Sequence, residues 1–238
     1  MKKLIALIMA LVMSLSLIAC AGSSDSSDAA ADDADVKGEG VMTYAEYAAA
    51  ELDSEVVVET YVQGKQSWWD NKGTFYTQDM EGGYFLYEMA CTEEEYNQLA
   101  VGTKIKVTGY KAEWAGEVEI VDASFEILEG EYIAEPMDAT ALLGTDELIA
   151  HQNKLATFTD MTVEAIEYKN GEPGDDIYVT VSKDGASYSF CVEVYLTGPD
   201  TEVYTTVGEL AVGDVVDVTG FVYWYEGVNT HITGITVK

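Results

Sequence analysis

Aromatic side chains stand beside carboxylates and amides at several points of the sequence, a pattern that suits ligand binding. Ring faces stack on C–H surfaces or on organic cations, while neighbouring polar groups orient the ligand. The candidate ligand-binding residues are Trp68, Trp69, Asp70, Tyr76, Trp114, Tyr178, Tyr223, Trp224 and Tyr225. The alternative for any single ring is that it caps the open end of a barrel. Since adjacent residues point to opposite sides, we expect one ring of the Trp68–Trp69 pair to face solvent.

Neither histidine of the chain has a nucleophile or carboxylate at a recognised catalytic spacing. His151 and His231 lie outside any HExxH, GxSxG or CxxC motif. The acidic run 93–95 is typical of the first turn of a helix, and no acidic run matches the ligand spacing of an EF-hand. The sequence therefore predicts no catalytic residue, no metal site and no cofactor, and the chain is expected not to be an enzyme.

The charge balance is strongly acidic, because 43 Asp and Glu residues face 12 basic residues and give a formal net charge of -31. Such a surface repels phosphate backbones and attracts cations and basic partners. The predicted partners are a glycan, a cationic small molecule or a basic protein, and nucleic acid is excluded. The alternative is that the carboxylates only keep an extracellular surface soluble.

The N-terminal residues resemble the signal peptide of a bacterial lipoprotein. Lys2 and Lys3 precede an uncharged, mostly apolar run over residues 4–19, which is too short for a comfortable membrane span. The run ends in the segment 17–20, Leu-Ile-Ala-Cys, which resembles a lipobox. The resemblance implies cleavage after residue 19, lipidation of Cys20, and attachment to the cell membrane on its extracytoplasmic face. The alternatives are an ordinary secretory signal and a single transmembrane anchor.

An internal repeat is the most informative feature of the remaining chain. Residues 99–116 align with residues 210–227 at a constant offset of 111, and three of the paired glycines mark the same places in both copies. Val107 and Val218 occupy equivalent alternating positions, which predicts that both are buried. Gly109 and Gly220 predict a bulge or tight bend in the same strand. The sequence therefore predicts a duplication.

Each copy reads as three strands, a short helix and two more strands, the order of an OB-fold barrel. Capping-box spacings at Thr43/Glu46 and Thr92/Glu95 predict short helices. The fold class predicted is all-β with short helices: two tandem five-stranded OB-fold-like Greek-key barrels, each preceded by a short helix. The pattern, including the L-x-V-G core of both repeats, resembles the tandem OB-fold modules of exported bacterial proteins. That resemblance implies non-catalytic binding, in some such modules of cationic ligands.

The predicted segments are a signal peptide over 1–19, a disordered acidic linker over 20–41, a first barrel over 42–130, a connector over 131–144 and a second barrel over 145–238. Cys91 and Cys191 fall at matching places in the two copies and are expected to be buried thiols rather than a disulfide. The favoured function is a lipid-anchored binding module. The alternative is an assembly protein of the cell envelope whose aromatic faces are protein interfaces.

Overall fold

The computed structural model describes residues 37–238, and Cys20 with the predicted signal peptide lies outside them. This part of the chain is mostly β with a few short helices. No helix within it is long and apolar enough to cross a membrane. In the first half, the elements are α1 (Tyr44–Ala49), β1 (Glu55–Lys65), β2 (Lys72–Gln78), β3 (Gly83–Ala90), α2 (Glu93–Gln98), β4 (Thr103–Trp114) and β5 (Glu117–Glu131).

These first five strands close into a barrel in the order β1-β2-β3-β5-β4, so that β4 pairs with β1. All neighbours are antiparallel except β3 and β5, which run parallel, and α2 connects β3 to β4. Alternate residues of β4 point inward, and Ile105 and Val107 are completely buried. The prediction of a five-stranded OB-fold-like barrel is thus confirmed for this half of the chain.

A second sheet is built from the following elements: β6 (Met137–Asp138), β7 (Leu155–Tyr168), β8 (Ile177–Lys183), β9 (Ala186–Val192), α3 (Glu202–Gly208), β10 (Val215–Phe221) and β11 (His231–Val237). Its order is β10-β11-β9-β8-β7-β6, and β10 also pairs with β7. Val218 is completely buried, as the repeat predicts.

The two equivalent glycines sit at irregularities of their strands. Register shifts occur between Thr108 and Tyr110 and between Thr219 and Gly220. A Cβ atom on Gly109 would lie 2.7 Å from Cγ2 of Ile120, and one on Gly220 would lie 2.2 Å from the carbonyl oxygen of His231. The bends therefore bring two strands too close for any side chain, as the sequence predicts.

Local capping explains which of the predicted helices form. Thr43 and Thr92 each complete the reciprocal capping box with a glutamate three residues later, so α1 and α2 are confirmed. The short helix predicted ahead of the second barrel is wrong, because residues 145–153 contain one short 3₁₀ turn, Leu148–His151, and no α-helix. The hydroxyl of Thr145 donates backward to the carbonyl of Leu142 instead of capping a helix.

The predicted acidic linker does not extend to residue 41. Lys37 donates to Asp79 at 2.6 Å, and the backbone N–H of Gly38 donates to the carboxylate of Glu59 at 3.2 Å. Residues 37–41 are therefore attached to the first barrel. The two cysteines are buried free thiols, which confirms that expectation.

Candidate functional site

The two sheets meet along an aromatic contact, which we call the seam. Tyr76 of β2 and Phe221 of β10 stack with ring centroids 4.3 Å apart and planes 1° from parallel. Together with Phe85 they form a buried cluster separate from the core of each sheet. The side chain of Gln78 accepts from the N–H of Leu155 at 2.8 Å, so polar contacts reinforce the seam. The burial of these rings fixes how the two sheets face each other.

Beside the seam lies a cavity of ≈ 870 Å³, the inter-sheet groove, which both sheets line. Its aromatic lining consists of Phe85, Tyr87, Trp114, Tyr178, Tyr223, Tyr225 and His231. Its polar lining consists of Gln66, Glu119, Lys169, Asp176, Ser189, Cys191, Glu193 and Asn229. A volume of this size is within the range of small-molecule sites, which are typically lined by apolar and aromatic side chains with a few polar groups.

The rings of the groove are arranged in contact with one another rather than scattered. Trp114 and Tyr225 lie 5.2 Å apart at 38°, one from each sheet, and both are about half exposed. Deeper in, Tyr223 stacks on His231 at 4.2 Å and 25°, and Phe85 meets the edge of Tyr223 at 5.5 Å. The groove therefore offers exposed ring faces at its mouth and a fixed aromatic floor.

A partly buried carboxyl, Glu193, lies at the polar side of the groove. Its two oxygens accept from the backbone N–H groups of Tyr195 at 3.1 Å and Leu196 at 2.9 Å. Burial nevertheless dominates and raises the pKa of Glu193 to about 7. Burial likewise raises the pKa of Glu119 on the opposite wall. Near neutral pH Glu193 can therefore present a neutral carboxyl, which is both a donor and an acceptor.

The one lysine of the groove lining is engaged by carboxylates. Lys169 contacts Asp176 at 2.9 Å and Asp175 at 3.7 Å, and its hydrogen bond with Asp176 raises the pKa of Lys169. Asp176 in turn accepts from the N–H of Val194 at 2.9 Å. This pair orders the loop before β8 and leaves little positive charge for a ligand.

His231 forms part of the floor and is neutral. Its Nδ1 atom lies 2.7 Å from the hydroxyl of Tyr76, and the ring is buried. Burial lowers the pKa of His231 to about 3. The imidazole can therefore act as a flat neutral surface without gaining a proton under ordinary conditions.

The groove brings together four of the nine candidate residues: Trp114, Tyr178, Tyr223 and Tyr225. The other five lie elsewhere. Trp68 packs against the first barrel core and donates from Nε1 to the carbonyl of Cys91 at 3.0 Å. Trp69 is 81% exposed, which confirms that one ring of the pair faces solvent.

Three candidates have structural roles. Asp70 is the first of two residues with positive φ, at 47°, in the tight turn between the bridged residues Trp69 and Lys72. Tyr76 is completely buried in the seam and has no surface to offer a ligand. Trp224 packs against the core of the second sheet and covers Gly116.

Several groove residues were not predicted from the sequence. Phe85 and Tyr87 belong to β3, where alternating rings are typical of an ordinary strand, and Glu119 and Glu193 resemble the many other acids of the chain. Only Gln66 carried a signal, since it is an amide close to the tryptophan pair. Within residues 37–238 no group of three or more His, Cys, Asp or Glu side chains is placed to hold a metal ion.

No protein-family model matches the chain, and no curated protein matches it. Solved structures do show similarity. A murine DNA-binding protein bound to double-stranded DNA has a TM-score of 0.37 and 12% identity, covering 76% of this chain and 94% of that one. The HIN1 domain of p202 in complex with a 12-mer double-stranded DNA has a TM-score of 0.35 and 10% identity, covering 76% and 92%.

A third neighbour, the HINa domain of Ifi202 in complex with a 20-bp double-stranded DNA, has a TM-score of 0.36 and 9% identity, and covers 78% and 98%. These neighbours contradict the expected glycan, cationic or basic ligand and the exclusion of nucleic acid, and both expectations are withdrawn. At such low TM-scores the likeness carries no argument for what this chain binds. The proposal below therefore rests on the groove.

Proposed function

We propose that the inter-sheet groove binds the flat ring of an unpaired nucleobase, carried by a nucleoside or by single-stranded nucleic acid. The observation that carries the proposal is the pairing of Trp114 from the first barrel with Tyr225 from the second sheet at the groove mouth. Base stacking on aromatic side chains contributes about 1–3 kcal/mol per base and is available to every base.

The polar lining suits the edge of a base. Gln66 and Asn229 each present an amide with both a donor and an acceptor. A protonated Glu193, with a pKa raised by burial to about 7, adds a third group that is both a donor and an acceptor. Heterocyclic bases carry adjacent donors and acceptors on their edges, so neutral groups of mixed character are the complementary partners.

Stacking, rather than phosphate contact, supplies the affinity in this proposal. The formal net charge is -31, and the lysine of the groove is already held by Asp176 at 2.9 Å. Proteins that bind strands through their phosphates use grooves lined with Lys or Arg. An uncharged nucleoside therefore avoids a repulsion that a phosphate chain meets.

Calorimetric titration with the uncharged nucleosides tests the proposal. Wild-type protein is compared with Trp114→Ala, Tyr225→Ala and the matched control Trp69→Ala, which removes an exposed tryptophan outside the groove. We expect at least about tenfold weaker binding for either groove variant, equivalent to about 1.4 kcal/mol, and no change for the control. Equal loss in all three variants, or no binding by the wild type, contradicts the proposal.

A second comparison separates the possible carriers of the base. The structural neighbours named above are complexes with double-stranded DNA, whereas a stacking groove requires bases outside a duplex. We expect a single-stranded oligonucleotide to compete with a nucleoside and the matching duplex to compete poorly. Preferential binding of the duplex contradicts base stacking in the groove.

We also propose that the second sheet is a second barrel of the same kind, with the folded units spanning about residues 42–130 and 145–238. The support is the ladder pattern: β7, β8, β9, β11 and β10 pair in the order of β1, β2, β3, β5 and β4, including the added pairing of β10 with β7. Superposition of the two halves in an experimental structure tests this.

We further propose that the chain is anchored by lipid on Cys20 at the extracytoplasmic face of the cell membrane, supported by the lipobox-like segment 17–20. Cys20→Ala should abolish metabolic lipid labelling and release the protein from membranes, while Cys91→Ala serves as the control. A Cys20→Ala protein that stays membrane-bound contradicts the anchor.

A further inference from the structure

The hairpin between β4 and β5 is held at its tip by the second sheet. Gln152 donates from Nε2 to the carbonyl of Gly116 at 2.6 Å, and Asn153 donates from Nδ2 to the carbonyl of Val118 at 3.2 Å. The N–H of Glu226 donates to the carbonyl of Ala115 at 2.8 Å. Every residue at this tip therefore has a contact across the seam.

Glu117 stands in the middle of this tip and is the charged residue of the set. It has no exposed surface. Its Oε2 atom accepts from the N–H of Trp224 at 2.8 Å. Its Oε1 atom and the Oδ1 atom of Asn153 are both buried and have no hydrogen-bond partner among the described residues. Two buried acceptors at the contact between the hairpin tip and the second half of the chain are thus left without a donor.

A proton on Glu117 resolves this shortage. A carboxylate is an acceptor only, whereas a neutral carboxyl also carries an O–H donor. Leaving a buried acceptor unpaired is unfavourable, and an uncompensated buried charge is more unfavourable still. The lowest-energy state of the seam is therefore the one in which Glu117 is neutral.

The electrostatics around Glu117 point the same way. Burial raises its pKa to about 8, and the N–H of Trp224, which favours the charged form, does not offset this. The titratable groups that face it are all acids, and none can neutralise a carboxylate. They are Glu119, Tyr44, Tyr47, Tyr76 and Tyr223.

We propose that Glu117 is a positioning residue of the inter-sheet groove, which holds the two sheets together in its neutral form and loosens the seam when it ionises. Trp114 lies three residues before Glu117. Trp224, whose N–H donates to Glu117, lies between Tyr223 and Tyr225. The hydrogen bond from Trp224 to Glu117 therefore fixes the Trp114–Tyr225 pair. This inference concerns the seam and stands whether or not the groove binds a base.

The sign of the effect on stability follows from the raised pKa. Between pH 4.5 and about 8 the folded protein keeps a proton on Glu117 that the unfolded chain releases. The contribution of this group to stability is fully present below pH 4.5 and is lost as the pH rises to about 8. Within that window the unfolding constant should rise by up to about tenfold per pH unit.

Carbon NMR of the side-chain carboxyls measures the protonation state directly in the wild-type protein, so that no variant needs to fold. We expect the Glu117 signal to titrate above pH 7. A midpoint below about pH 5, the range of ordinary glutamates, overturns the proposal.

The variant Glu117→Gln tests the consequence for the seam. The amide is a permanent neutral substitute with a donor, so this variant should match wild type below pH 4.5 and be more stable above pH 8. The protection factor of the Trp224 amide, which is its hydrogen-exchange rate corrected for the base-catalysed rise common to all amides, should fall with pH in wild type and stay constant in Glu117→Gln. Glu113→Gln is the control, since it removes an exposed charge from the same hairpin. A difference between Glu117→Gln and wild type that is the same at every pH overturns the proposal.

Discussion

The rings of Tyr76 and Phe221 stack face to face across the two sheets, with centroids 4.3 Å apart and planes 1° from parallel. The Tyr76 hydroxyl lies 2.7 Å from Nδ1 of His231, so one side chain both packs against and hydrogen-bonds to the second sheet. Both rings are buried, which makes the seam a small core of its own. We expect the seam to contribute to global stability as a core does.

Tyr76→Phe should keep this ring packing and remove only the hydroxyl. Nδ1 of His231 then remains buried without its partner, which should cost about 1–3 kcal/mol of unfolding free energy. Urea unfolding measures the change, and Tyr110→Phe serves as the control because Tyr110 is 44% exposed. Equal midpoints for Tyr76→Phe and wild type would mean that the hydrogen bond is not formed.

His231 should remain neutral to unusually low pH. Burial lowers its folded pKa to about 3 from the ordinary 6.5. Between pH 6.5 and 3 the imidazole therefore binds a proton in the unfolded chain but not in the folded protein. This contribution to stability is present above pH 6.5 and is lost as the pH falls towards 3, opposite in sign to that of Glu117. Proton NMR of the imidazole should show no titration of His231 between pH 8 and pH 4, and a midpoint near 6 would refute its burial.

The equivalent valines of the repeat should be equally intolerant of charge. Val107→Asp and Val218→Asp each place a carboxylate in a completely buried position, at a cost of about 4 kcal/mol or more. Val101→Asp and Val212→Asp are matched controls, because Val101 is 49% and Val212 71% exposed. Thermal unfolding should separate the two pairs clearly. If Val218→Asp proved as mild as Val212→Asp, the second sheet would not enclose a core at that position.

The repeat and the capping motifs made the barrel predictable because they act through neighbours in sequence. A bulge glycine such as Gly109 is required by the strand beside it, and Thr92 with Glu95 caps its own helix. The short helix predicted ahead of the second barrel rested on no capping box, and only a 3₁₀ turn forms there. Local motifs therefore predict the helices well where a capping box is present.

The groove could not be predicted in the same way, because it exists only where two sheets meet. Tyr76 was a candidate ligand-binding residue, but the second sheet covers it together with Phe85 and buries both rings. The groove forms instead at the margin of the contact, where Trp114 meets Tyr225. The packing of the two halves depends on contacts such as Tyr76 with Phe221, which are far apart in the sequence and belong to no local motif.

The binding of single-stranded nucleic acid should strengthen as salt is added, if stacking in the groove supplies the affinity. With a formal net charge of -31, the protein repels phosphates at low salt, and salt screens this repulsion over about 8 Å at physiological ionic strength. Proteins that contact phosphates with lysine or arginine show the reverse dependence. Their affinity falls as salt is added, because the release of counterions from the nucleic acid then becomes less favourable. Fluorescence anisotropy of a labelled single-stranded oligonucleotide, from about 50 mM to about 500 mM salt, measures the sign of this dependence.

An uncharged nucleoside should bind equally at both ends of the range, and Trp114→Ala should lower the affinity for both ligands without changing either slope. Affinity for the strand that falls with salt would instead mean that lysines outside the groove hold the phosphates, and the stacking proposal would be wrong.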